Sequence, residues 1–207
     1  MRPLPRLHAF TDRAVLDADD FGVRAAAIAA AGSAVALHAR DRGAGGAALT
    51  RAAARLLALA RPPEAAVFVS GRPDVAAALG AQGVQLAGDD LCAADARRVL
   101  GQGWIGRSVH GMSEALAAVA EGADFLVVGN VYETASHPGR PAAGLALVGA
   151  AAALGRPVIA IGGIDASRAH EVRAAGAYGV AAIRALWAAA DPAAAALALL
   201  APWAEDA

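Results

Sequence analysis

The chain has 207 residues, which suits one domain or two small ones. A net charge of −1 and an aromatic content of 4% leave no basic or stacking surface, so neither nucleic acid nor an anionic membrane is an expected partner. All 18 basic residues are arginine, which excludes a lysine Schiff base, and the single cysteine, Cys92, excludes an internal disulfide.

Met1–Leu16 lacks the charged and then apolar pattern of a secretory leader, and no 18-residue apolar run follows, which with the lone cysteine predicts a cytoplasmic protein. The first apolar run, Leu7–Thr11, reads as a strand ending at Asp12-Arg13. Phe21–Ala31 reads as a helix closed by Gly32. Ser33–Ala39 is a second strand, ending in the charged cluster His38–Arg42, and Ala47–Ala60 is its helix. Ala65–Val69 is a third strand ending at Ser70-Gly71-Arg72, followed by a helix over Pro73–Leu79 with proline in its first turn. Gly83–Leu86 and Ala93–Leu100 form a fourth pair, and Trp104–Gly106 with Ser113–Glu121 a fifth. Asp124–Val128 is a sixth strand, separated by a long loop, Gly129–Gly144, from a helix over Leu145–Leu154. Loops of that length in compact domains are usually functional.

The last two units, Val158–Ile161 and Tyr178–Ile183, flank Gly162-Gly163 and a helix opening at Asp165 or Ser167 and closing at Gly176. A helical segment follows Arg184. Glycines that bare backbone N–H groups, next to helix starts, suit a phosphate monoester. Eight strand–helix units with apolar, non-alternating strands predict a single (β/α)₈ TIM barrel over residues 1–207, with a doubly wound sheet as the competing architecture.

In such a barrel the active site lies at the C-terminal strand ends. Those ends carry Arg40, Arg42, Ser70, Ser108, Thr134, Gly162, Gly163, Ile183 and Arg184 as candidate substrate-binding residues. They also carry His38, His110, Asn130 and His137. Plainer roles compete: Arg40–Asp41–Arg42 as a surface charge cluster, Asp89-Asp90 as a helix cap, His110 as a core residue, His137 as a solvated one. Two anionic groups are suggested for the ligand, a phosphate on the glycines and a carboxylate on Arg40. Asp89-Asp90 alone makes a poor metal site.

The strand ends are similar to those of a known family. LHAFTDR at Leu7–Arg13, ALHARDR at Ala36–Arg42, VFVSGRPDVA at Val67–Ala76 and GVQL at Gly83–Leu86 fit it. So do IGRSVHGMSEAL at Ile105–Leu116, GADFLVVGNVYET at Gly122–Thr134, PVIAIGGID at Pro157–Asp165 and AGAYGVAAI at Ala175–Ile183. In that order, over nearly the whole chain, it resembles the thiamin phosphate synthase superfamily, and IGRSVH and VYET resemble the thiazole tautomerase branch.

The resemblance implies a thiamin-biosynthesis protein acting on a small thiazole phosphate, with a homo-oligomer left open. The expected activity is that of a tautomerase, isomerising a carboxythiazole phosphate to its aromatic form with a base, an acid and no cofactor. The tautomerases' histidine before VYET is Asn130 here, so the proton carrier is expected to be His137 first, then His110 or His38. The alternative is a synthase joining hydroxymethylpyrimidine diphosphate to thiazole phosphate, which implies Mg²⁺. Of its two metal carboxylates Asp90 occupies one place, but Ser70-Gly71 stands for the Asn-Asp pair that holds the other. The synthases' lysines correspond to Arg42 and His137. A non-catalytic thiazole phosphate-binding protein is the third reading.

Overall fold

In the computed structural model eight short strands pair in parallel and close on themselves in sequence order. The structure describes residues 3–62, 64–134 and 141–206, so the predicted proton carrier His137 lies outside the described residues. The strands are β1 (Leu7–Phe10), β2 (Val35–Ala39), β3 (Ala66–Ser70), β4 (Gly83–Leu86), β5 (Trp104–Val109), β6 (Phe125–Gly129), β7 (Val158–Ile161) and β8 (Gly179–Ala182). Closure is made by β1 against β8, with Leu7 opposite Val180 and His8 opposite Ala181. The helices are α1 (Arg13–Leu16), α2 (Phe21–Ala29), α3 (Gly46–Ala60), α4 (Pro73–Leu79), α5 (Ala93–Leu100), α6 (Met112–Ala120), α7 (Gly144–Ala152), α8 (Ala166–Ala174), α9 (Arg184–Trp187) and α10 (Pro192–Leu200). The expected (β/α)₈ barrel is the fold.

Two apolar layers hold it. One lies between sheet and helices, where Leu7, Leu37, Leu86, Ile105 and Leu126 meet Ile28, Leu56 and Leu186, all fully buried. Each such side chain contributes about 1.5–3 kcal/mol by leaving water. The other fills the barrel with Phe10, Phe68, Phe125 and Ile159. So many rings fit inside short strands because glycine stands beside them: Phe68 is in register with Gly83, and Phe125 with Gly106. A Cβ on either glycine would run into the neighbouring ring.

Two imidazoles complete the interior. His8 and His38 are fully buried, 2.8 Å apart from Nδ1 to Nε2, with His8 Nε2 at 3.0 Å from the Pro5 carbonyl. A carbonyl only accepts, so His8 carries its proton on Nε2, and His38 Nε2–H donates to His8 Nδ1. His38 Nδ1 is left as a buried acceptor without a partner. Burial pushes His8 down to about 4, and burial, then His8 and Arg40, holds His38 well below the usual imidazole range.

Several boundaries differ from those expected by one or more residues. β5 runs on to Val109, because Ser108 and Val109 pair with Val127 and Val128 although Arg107 and Ser108 are polar. Ser33 and Ala34 belong to a 3₁₀ turn before β2. The short α1 is additional, started by Asp12, whose carboxylate accepts the Val15 N–H at 3.0 Å. α10, after an equivalent cap on Asp191, packs on α2, α8 and α9.

Candidate functional site

The C-terminal ends of all eight strands open into one cleft of about 1340 Å³. Arg40, Arg42, Ser70, Ser108, His110, Asn130, Thr134, Gly162, Gly163, Ile183, Arg184 and Asp90 all line it. His38 does not: its ring is stacked 3.9 Å from Phe10 and 5.0 Å from Phe68, inside the barrel. Its place at the end of β2 suggested access to substrate, but the inward face of that strand position is roofed by Phe10. His8, the partner that fixes its tautomer, was not among the candidates, since in sequence it is one polar position inside an apolar strand.

The glycines after β7 form one wall. Gly162 and Gly163 have φ of +104° and +66°, conformations that L side chains rarely adopt. A Cβ on Gly163 would stand 2.8 Å from the Glu133 carbonyl oxygen, so the two loops meet only because it is glycine. No backbone acceptor among the described residues takes the N–H of Gly163 or of Ile183. Below them Asp165 caps α8 by accepting from Ser167 and Arg168 at 3.1 and 3.2 Å. Arg168 in turn donates to the Gly163 carbonyl at 2.6 Å and lies over the Tyr132 ring.

The segment after β2 forms a cationic wall. The Thr11 hydroxyl lies 2.9 Å from the His38 and Arg40 carbonyls and accepts the Arg40 N–H at 2.9 Å, which fixes the start of the loop. Asp41 pairs with Arg13 at 2.8 Å, so its carboxylate is spent outside the Arg40–Arg42 pair. Burial, then the charge of Arg42, lowers the pKa of Arg40. Arg72 makes two bonds to Asp74, at 2.8 and 2.5 Å.

Between the walls lie Gln85, Ser108, His110 and Asn130. Gln85 Nε2 donates to Ser108 Oγ at 3.0 Å. Asn130 donates to the Tyr132 carbonyl at 3.2 Å, a bond that shapes the loop. The Gly129 carbonyl contacts His110 Nδ1. A carbonyl only accepts, so His110 Nδ1 carries a proton and donates to it.

The resemblance assigns Mg²⁺ to two carboxylates, and the residues present do not fit that ion. Gly71 has φ +69°, and a Cβ there would stand 2.9 Å from Asp90 Oδ1 and 3.2 Å from Oδ2. Asp90 therefore occupies the volume from which a side chain at 71 would start. Its Oδ2 is already taken by the Ala87 N–H at 2.6 Å. Among the described residues no three histidine, cysteine or acidic side chains converge as metal ligands.

Comparison with known proteins places this geometry in a family. A thiamine-phosphate synthase of Thermus thermophilus is 50% identical over 147 residues, 70% of this chain and 71% of its own length. One from Salinispora tropica is 48% identical over 151 residues, 72% of this chain and 73% of its own. A solved structure of a thiamine phosphate pyrophosphorylase from Pyrococcus furiosus superimposes with a TM-score of 0.81 at 31% identity, covering 97% of this chain and 96% of that one. Relatives of this similarity bear the synthase name, which overturns the expectation of a tautomerase and of an isomerase. VYET and IGRSVH are a few positions each, and they did not separate the branches. Residues 7–186 match the family model described as thiamine monophosphate synthase, and the chain belongs to that family.

Proposed function

We propose that the chain is a thiamin-phosphate synthase, a transferase that joins hydroxymethylpyrimidine diphosphate to thiazole phosphate. The reading is carried by the 50% identity to a protein of that name, over seven-tenths of both chains. The cleft suits it. The substrates bring two separate anionic groups, and the rim offers two separate places for them, the glycines of β7–β8 and the arginines after β2. The thiazole phosphate takes the N–H groups of Gly163 and Ile183. The diphosphate faces Arg40 and Arg42, as planar guanidinium groups suit phosphate oxygens.

In the reaction the pyrimidine methylene carbon leaves its diphosphate oxygen and bonds to the thiazole nitrogen. The electron pair of the broken C–O bond departs with diphosphate. What the protein supplies is alignment of the two rings and positive charge where the leaving group gains negative charge. His110 and the Gln85–Ser108 pair stand between the two anion sites, where the rings must meet.

Incubation with both substrates, followed by detection of thiamin phosphate and released diphosphate, tests the reading. Stoichiometric formation of both is expected. Absence of product from correctly folded protein with both substrates bound removes it.

A further inference from the structure

The cationic wall and the misplaced carboxylate point to the same consequence. A divalent ion beside a diphosphate takes hard, anionic oxygen ligands from the protein. Here Asp90 is held by the Ala87 N–H at 2.6 Å, and its carboxylate fills the space above Gly71. Among the described residues no group of three histidine, cysteine or acidic side chains stands where it could hold a metal ion.

Guanidinium groups are gathered on the same rim. Arg40 is half-buried, and its contact with the Thr11 carbonyl, at 3.5 Å, is at the limit of a hydrogen bond. None of the ion pairs among the described residues involves Arg40 or Arg42, since Asp41 is turned to Arg13. Arg72, though paired with Asp74, lies against Gly46 at the start of α3, directly beyond the Arg40–Arg42 loop. The charge of Arg42 acts against that of Arg40, offset in part by Asp12 and Asp41, and a polyanion seated between the two guanidinium groups relieves the repulsion. Arginine, fully charged and forked, binds phosphate oxygens in pairs without a metal.

We propose that this cleft holds a diphosphate through Arg40 and Arg42, supplemented by Arg72, without a divalent ion bound by the protein. The identity of the anion as a leaving diphosphate rests on the synthase reading; the mode of binding does not.

Calorimetric titration of inorganic pyrophosphate into the full chain, in EDTA and in Mg²⁺ at matched ionic strength, separates the two. Binding in EDTA within about threefold of that in Mg²⁺ is expected. Arg42→Gln is expected to weaken it about tenfold or more under both conditions, the range for a lost hydrogen bond to a charged group. Arg42→Lys is expected to recover only part, because one ammonium cannot replace the fork. Asp90→Asn keeps an acceptor for Ala87 and removes the charge, so pyrophosphate affinity is expected to stay level or rise slightly. Binding that appears only with Mg²⁺ and is lost in Asp90→Asn overturns the proposal, as does no binding in either buffer. Failure of the synthase reading looks different: pyrophosphate binds in EDTA, yet the two substrates give no thiamin phosphate.

Discussion

At the scale of single residues, Gly71 and Asp90 decide how far a sequence correspondence reaches. Aligned motifs place Gly71 where a metal-binding aspartate is expected, which invites the substitution Gly71→Asp as a repair. The structure argues against it on two grounds. The backbone at 71 is left-handed, with φ of +69°, and the first side-chain atom would press on the Asp90 carboxylate at 2.9 Å. Strain and like-charge crowding together are expected to cost about 1–3 kcal/mol. Gly71→Asp is thus expected to lower the denaturation midpoint with no gain in Mg²⁺ affinity, as read by thermal unfolding with and without the ion. A variant of unchanged stability that binds Mg²⁺ more tightly would mean that the loop rearranges to form the two-carboxylate site.

At the scale of the elements, the pairing of aromatic rings with glycines across neighbouring strands sets the barrel's inner volume. Gly106 on β5 lies between the Gln85 carboxamide on β4 and the Phe125 ring on β6. Gly106→Ala must displace both: the ring belongs to the inner core, and the carboxamide reaches the cleft through Ser108. Overpacking of this kind typically costs about 1–3 kcal/mol. Stability and substrate affinity are therefore expected to fall together in Gly106→Ala. A drop in stability with an unchanged KM for both substrates would show that Gln85 is not held in place by the strand beside it. The strand reading of the sequence anticipated Gly106 as a strand position, but not what it accommodates. Contact between β4, β5 and β6 exists only after the sheet forms.

For the molecule as a whole, the buried His8–His38 pair ties stability to pH. Both imidazoles titrate lower in the fold than in the unfolded chain, where the usual value is 6.5. Between about pH 6.5 and 4 the unfolded chain therefore binds more protons, so stability is fully present above 6.5 and is lost as the pH falls through that window. The slope approaches about 1.4 kcal/mol per pH unit for each histidine. The urea midpoint is expected to drop clearly between pH 7 and pH 5; a flat midpoint over that range would mean that the pair is protonated within the fold.

The sequence alone determined the architecture. Eight apolar runs of three to seven residues, each followed by a helix and punctuated by Gly, Pro and cap residues, favour a closed parallel barrel, because strands buried on both faces need helices all around. It also determined where the chemistry lies, since in a barrel the strand ends share one rim, and Arg40, Ser70, His110 and Gly163 could be read off as neighbours. Only the tertiary structure decided which of them face the cleft and what they still have to offer. His38 lies next to the end of β2, yet Phe10 closes over it. Asp90 is an acid at the expected position, yet a backbone amide and the space above Gly71 hold it in place. Direction and occupancy are set by contacts between residues far apart in the chain, and a linear pattern carries no record of those.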